Sequence, residues 1–292
     1  MGDLATPEPS TGATARPASG QIPRRAAAGR PLPAIPLRRS FKERLGFWAL
    51  LVVGAVVYAA ALDVADVSLA RLWDGLPRLA AWAARAWPPD LSELDTLLYR
   101  AAETLAMATV GVSFGAVIAV PLCLLAARNV SPAPWLYYPA RFFLNTLRGI
   151  DAFVFALIFV AAVGLGPFAG VLGIALHTAG SIAKLWSEAI EAVEPGPSEA
   201  ALMTGASRLK VVVHALLPDV MPSLTSILLY MWEFNVRAST VLGIVGAGGI
   251  GQELKNSVDL LLFDRVFTIL LIILAMVTAI DSLSAWLRRR LT

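Results

Sequence analysis

Apolar residues gather along this chain into long runs separated by short polar intervals. Runs of the ~20 residues needed to cross ~30 Å of hydrocarbon lie near 45–62, 98–127, 137–165, 168–190, 219–245 and 266–287. The fold class they predict is all-α and integral to a membrane, with six transmembrane helices and both ends on one face. From a cytoplasmic N-terminus, 63–96 falls outside, Arg128–Trp135 inside, the Gly164–Pro167 turn outside, 191–218 inside and 246–264 outside. Gly164-Leu165-Gly166-Pro167 is a breaker cluster that joins two spans tightly.

Between the first two runs, Val67–Trp87 carries Leu69, Leu72, Trp73, Leu76, Leu79, Ala80 and Trp82 at helical spacings, with Trp87 just before Pro88-Pro89. This pattern predicts a helix lying in the outer interface, where indole rings are well accommodated. Arg71, Asp74, Arg78 and Arg85 argue against a further span. The chain then divides into a disordered basic cytoplasmic N-terminal extension, 1–44, a first transmembrane helix with an outer interfacial helix, 45–97, and a transmembrane core, 98–292.

Composition agrees with the pattern. At 57% hydrophobic and 15% charged residues, with a mean hydropathy of +0.69, the chain lacks the polar surface that a soluble globule of this length needs. The net charge of +3 hides an uneven distribution, since Arg16, Arg24, Arg25, Arg30, Arg38, Arg39, Lys42 and Arg44 precede the first span and Arg288–Arg290 follow the last. By the positive-inside rule both termini are cytoplasmic, although Arg71, Arg78, Arg85, Lys255 and Arg265 fall outside. No aromatic residue interleaves the basic stretch before Phe41, so anionic lipid and topology explain it better than nucleic acid. Residues 1–40 hold no apolar run long enough for a signal-peptide core. The lone cysteine, Cys123, lies in an apolar run and permits neither an internal disulfide nor a cysteine metal cluster.

Ionisable groups at membrane depth are the candidates for function, because each costs about 2.5–3.5 kcal/mol on insertion scales and so faces a bundle interior or a watery path. Glu233 and Arg237 stand four apart with Asn235 between them, a spacing at which they pair on one helix face. The fifth span is expected to turn Arg237 toward a dimer axis in its outer half, either in the solute path or in a structural clamp. His177 lies near the middle of the fourth span, with Lys184 and Glu188 four apart toward the cytoplasm. Arg148 and Asp151, within NTLRGID, are spaced to pair with each other and leave Asn145 to bond across helices. Arg100 and Glu103 open the second span, where a carboxylate suits the helix dipole.

Gly246-Ala247-Gly248-Gly249-Ile250-Gly251 satisfies the dinucleotide pattern G-x-G-x-x-G but lacks the βαβ unit that gives the pattern its mechanism. It reads as an irregular turn on the outer face. No G-x-x-x-x-G-K-S/T cradle for ATP is present, so energy has to come from outside the chain. With His177 and His214 as the two histidines, far apart in topology, neither a zinc site nor a Ser-His-Asp triad is expected. The expected metal set is empty.

The polar island Glu199–Pro218 fits the spacing E-A-A, three residues, G, nine residues, I, one residue, L-P, with Ala215 as the one departure. It resembles the cytoplasmic coupling loop of ABC importer permeases. With ETLAMATVG from Glu103, LIFVAAVGLGPFAGVLGIALH ending at His177, AKLWSEAIE from Ala183, EPGPSEAALMTGAS from Glu194 and FNVRASTVLGIVGAGGIG ending at Gly251, the stretch from about Ala101 to Leu291 is similar to the permease subunit of phosphonate ABC importers.

That resemblance implies an ABC type I permease core over 98–292 with its coupling loop at 191–218, in a bacterial inner membrane. It also implies a permease homodimer, two partner ATPase subunits and an extracytoplasmic phosphonate-binding protein. ATP and Mg would sit on the ATPase, no cofactor on this chain, and no chemistry would be done here. Carried over by position, Glu199, Ala200, Ala201, Gly205, Ala206, Leu217 and Pro218 meet the ATPase, while Glu233, Asn235, Arg237, His177 and Arg148 belong to the translocation path. Asp151 departs from the proline of many related permeases, and residues 1–44 exceed the family minimum. The competing reading is an ion-coupled carrier with Glu233, His177 or Lys184 as proton relay; dependence on ATP separates the two.

Overall fold

The computed structural model describes residues 41–291 apart from residue 132. Most of the N-terminal extension, 1–40, thus lies outside the described residues. Eleven α-helices are found among them: α1 (Phe41–Val64), α2 (Leu69–Arg85), α3 (Leu94–Ala126), α4 (Pro134–Gly149), α5 (Ala152–Val163), α6 (Pro167–Glu191), α7 (Pro195–Met203), α8 (Arg208–Val211), α9 (Leu217–Ile244), α10 (Ile250–Asp259) and α11 (Phe263–Leu291). The chain forms two compact units, one ending at Leu69 and one from Ala70 onward. The first contains α1, which begins inside the stretch expected to be disordered and whose apolar span Leu45–Val64 is exposed throughout.

In the second unit α6 is the central column, with 72% of its apolar window buried. Small residues let its neighbours approach. A Cβ added at Gly111 of α3 would meet Ile174 at 2.7 Å, and one at Gly115 would meet the Ala175 carbonyl at 3.0 Å, so α3 and α6 pack close to backbone contact. On another side of α6, Trp186 donates its indole N–H to the Leu224 carbonyl of α9 at 3.0 Å. Ala108, Val236 and Ile280 join α3, α9 and α11 in a smaller cluster.

The apolar run 137–165, expected as one span, is broken. Helices α4 and α5 meet at 84°. Hydropathy counts the residues but is blind to the turn at Ile150, where the backbone leaves helical geometry (φ −101°, ψ 123°) and Asp151 starts a new helix by accepting the Phe153 N–H at 2.8 Å. Arg141 of α4 is tied to Glu191 at one end of α6, while α5 ends three residues before α6 begins at the other. The pair therefore still crosses from one end of α6 to the other.

The last-but-one span is longer than expected. Leu209–Ile244 is a continuous 36-residue stretch in which Val212–Leu216 widens into a π turn and Leu217 N–H bonds to the Val212 carbonyl. Pro218 explains the widening: it has no N–H for the His214 carbonyl, and its ring crowds that carbonyl. The segment 246–264 is not merely a turn, because α10 occupies its middle. Helix α2 is as amphipathic as its pattern predicted, with Leu69, Leu72, Trp73, Leu76 and Leu79 all exposed and Trp82 stacked on Phe263 at 5.2 Å.

Candidate functional site

Three groups of predicted residues lie in three places. The first is the polar loop. Glu199, Ala200 and Ala201 fall on α7, a nine-residue helix with Pro at its first turn and no buried residue. Gly205 follows with φ +77°, and an added Cβ there would meet nothing within 4 Å. Its role is thus the left-handed turn that redirects the chain into α8, and not close packing. Ala206 completes that turn, and Leu217 and Pro218 begin α9 after the π turn.

Exposed apolar side chains gather on this loop, with Leu202 at 50%, Met203 at 89% and Leu209 at 74% exposure. Beside them a cavity of about 580 Å³ is lined by Arg128–Ser131, Glu191, Glu194, Ser198, Glu199 and Val212, among others.

The floor of that cavity rests on a residue given no role from sequence. Glu191, the last of α6, accepts the Arg128 backbone N–H at 2.8 Å and the Arg141 guanidinium at 2.7 Å. Arg141 also bonds the Ala126 carbonyl at 3.1 Å, and Asn129 donates to the Ile190 carbonyl at 2.7 Å. The ends of α3, α4 and α6 are thereby tied together. The signal was available: Arg141 is a charge inside an apolar run and demands a carboxylate partner. Arg128 donates to the Tyr137 hydroxyl at 2.8 Å, and that bond raises its pKa above the ordinary value and keeps it a fixed cation.

The second place is the α9–α11 contact. Glu233 pairs with Arg237 at 3.0 Å, as the spacing required, and also with Arg288 at 3.2 Å. Arg237 reaches Asp281 at 3.3 Å. Asp281 and Arg288 follow the uncharged run Val266–Ile280, so the cluster joins the part of α9 toward Ile244 to the charged C-terminal part of α11. Asn235 faces the interior, fully buried, with its amide N–H spent on the Met231 carbonyl at 2.7 Å. Lys184 and Glu188 pair at 2.9 Å, also as their spacing required.

The third place is the α4–α5 elbow. His177 is buried, and its Nδ1–H donates to the Ile150 carbonyl at 2.9 Å, satisfying an acceptor that the end of α4 leaves over. Arg148 and Asp151 do not pair: Asp151 caps α5, and Arg148 is exposed.

The glycine run is a fixed joint on the other end of the bundle. Gly246, Gly248 and Gly249 have φ of +87°, +81° and +74°, which only glycine adopts at low cost. The Ile250 N–H donates to Thr104 Oγ1 at 2.8 Å, anchoring the run to α3. Around it Arg100 pairs with Glu103 at 2.8 Å, and Arg265 with Glu93 at 2.8 Å and Glu253 at 3.0 Å. These pairs neutralise Arg265, one of the cations that sat against the positive-inside bias. No group of three or more His, Cys, Asp or Glu residues suited to a metal occurs among the described residues.

Residues 119–292 match the family described as "Binding-protein-dependent transport system inner membrane component". The chain is 52% identical over 252 residues, 86% of its length and 89% of the relative's, to the "Putative phosphite transport system permease protein HtxC" of Stutzerimonas stutzeri. It is 42% identical to the phosphite transport system permease protein PtxC of the same organism, covering 84% of this chain and 90% of the other. It is 38% identical to the phosphate-import permease protein PhnE of Mycolicibacterium smegmatis, covering 90% of this chain and 52% of that one. Among solved structures it resembles a chain of the inward-facing MetNI methionine ABC transporter, with a TM-score of 0.60, 26% identity, and coverage of 69% of this chain and 99% of the other.

Proposed function

The chain belongs to the binding-protein-dependent transport system inner membrane component family, and on that footing we propose that this ABC importer permease carries phosphite, phosphonate or phosphate as its cargo. The permease role rests on the family itself; the cargo rests on the kinship with permeases named for phosphite and phosphate import. The carrier reading falls with the family assignment, and Glu233, His177 and Lys184 are engaged in ion pairs or a capping hydrogen bond.

The observation that carries the coupling mechanism is the exposed apolar group Leu202, Met203 and Leu209 on an otherwise polar loop. Such a patch is stable in water only when something covers it. A separate ATPase subunit is the occupant, docking over α7 with Glu199, Ala200, Ala201, Gly205 and Ala206 in or beside the contact. Leu217 and Pro218, at the root of α9, pass the resulting movement into the membrane. ATP and Mg belong to that subunit, and this chain contributes no reacting group. A second permease chain completes the passage, two ATPases attach to the pair, and an extracytoplasmic anion-binding protein delivers cargo from the other side. With six crossings, both termini of this chain lie in the cytoplasm.

Reconstitution tests the proposal. Proteoliposomes holding permease, ATPase and binding protein are expected to accumulate phosphite, methylphosphonate or phosphate when ATP is supplied to the ATPase face, and the permease alone to accumulate none with or without an ion gradient. Uptake by the permease alone on a proton gradient would refute it.

A further inference from the structure

The α4–α5 elbow sits at the middle of the bundle in depth. Helix α6 has 25 residues and so rises about 37 Å, and the elbow is held against its midpoint. A Cβ at Gly180 would meet Leu147 at 2.6 Å and the Arg148 N at 3.0 Å, and His177 reaches Ile150. Backbone that leaves the helix at hydrocarbon depth is tolerated only where protein or a water-filled path satisfies it. Here protein does so on both sides, with Asp151 capping α5 and His177 closing α4.

What remains is Arg148. It is exposed, and among the described residues it has no hydrogen-bond or ion-pair partner. Arg100, Arg128, Arg141, Arg237 and Arg265 all have one. A guanidinium keeps its charge in any protein environment, and lipid or an apolar wall at this depth is costly for it. A water-filled path that carries an anion suits its five donors best. Asn145, three residues earlier and also exposed, shares its helix face.

We propose that the elbow is the mid-membrane contact for the transported oxyanion, with Arg148 as its cation and Asn145 as a neutral donor beside it. The inference rests on the anion-importer reading. It moves the solute contact away from Arg237, whose charge is already divided between Glu233 and Asp281. A tetrahedral oxyanion accepts two parallel N–H bonds from a guanidinium fork. Asp151 repels the same anion from three residues away and keeps the hold loose enough for passage.

The test uses the full importer in proteoliposomes, with phosphite, methylphosphonate and phosphate as probes. Arg148→Gln is expected to lower the number of anions carried per ATP hydrolysed by about tenfold, the loss of one hydrogen bond to a charged group. Arg148→Lys should recover part of it, because charge without the fork is retained. In a Cys123→Ala background, Arg148→Cys is expected to react with a water-soluble, membrane-impermeant thiol reagent and to be protected by phosphite when binding protein and ATP are present. Wild-type transport per ATP in Arg148→Gln would overturn the proposal. So would modification of the Arg148→Cys thiol by lipid-soluble reagents alone, or loss of the permease pair in both the Gln and Lys variants, which would make the residue an interface. If the wild-type complex moves none of the three anions, the cargo reading fails instead, and aqueous labelling without phosphite protection then overturns the oxyanion contact as well.

Discussion

Two glycines of the proposed coupling loop offer a controlled comparison. Gly196 and Gly205 both have open space where a Cβ would go, yet only Gly205 has a positive φ, +77°. Alanine at Gly196 therefore meets no obstacle, and in α7 it stands to gain about 0.5–1 kcal/mol by restricting the unfolded chain. Alanine at Gly205 must hold a Cβ in the left-handed region, at a cost of about 1–2 kcal/mol. Because α7 buries no residue, little holds the loop in shape before docking, and the substituted turn relaxes when free. The cost then falls on docking, where 1–2 kcal/mol corresponds to roughly 5–30-fold weaker binding. Titrating the ATPase onto permease in nanodiscs, with stimulated ATP hydrolysis as a second readout, is expected to show that loss for Gly205→Ala, a smaller one for Gly205→Asn, and none for Gly196→Ala. Equal affinities for Gly205→Ala and Gly196→Ala would refute the reasoning, since the two sites differ in backbone angle and not in space.

Thr104→Val removes the acceptor of the buried Ile250 N–H and should cost about 1–3 kcal/mol, seen as a drop of several degrees in the thermal unfolding of the purified complex; Thr104→Ser should restore most of it, and an unchanged midpoint would show that the glycine run does not depend on α3. Glu191→Gln should destabilise by about 1–3 kcal/mol, because the Arg141 pair at 2.7 Å is lost. A Glu191→Gln/Arg141→Met double-mutant cycle with a coupling energy under about 0.3 kcal/mol would show that the tie between α4 and α6 is not energetic.

The spans were legible because crossing a membrane demands a length of apolar chain that hydropathy counts directly. Direction is another matter. The elbow within 137–165 was hidden because its two halves are equally apolar, although Asp151, a capping residue just before AFVFAL, was a readable start signal. Pairs at helical spacing, Glu233–Arg237 and Lys184–Glu188, were legible for the same reason that they form, namely one helix face. Partners distant in sequence were not: nothing local links Glu191 to Arg141, Arg237 to Asp281 or Thr104 to Ile250. His177 shows the same limit, since the Ile150 carbonyl it serves lies 27 residues away, at the end of another helix. Helix α10 was missed because its ten polar-rich residues follow a glycine cluster that reads as a turn.

The Trp186–Leu224 contact divides the long rod Leu209–Ile244 unequally. Fifteen residues lie on the α8 side and twenty on the other, giving arms of about 22 Å and 30 Å at 1.5 Å per residue. With that bond as fulcrum, a push of ~3 Å on Leu209 swings Ile244 by ~4 Å in the opposite sense. Arg237, about 20 Å beyond the fulcrum, would travel ~2.7 Å. That stroke is nearly as large as its 3.3 Å separation from Asp281, so each tilt of the rod is enough to break or remake the link between α9 and α11.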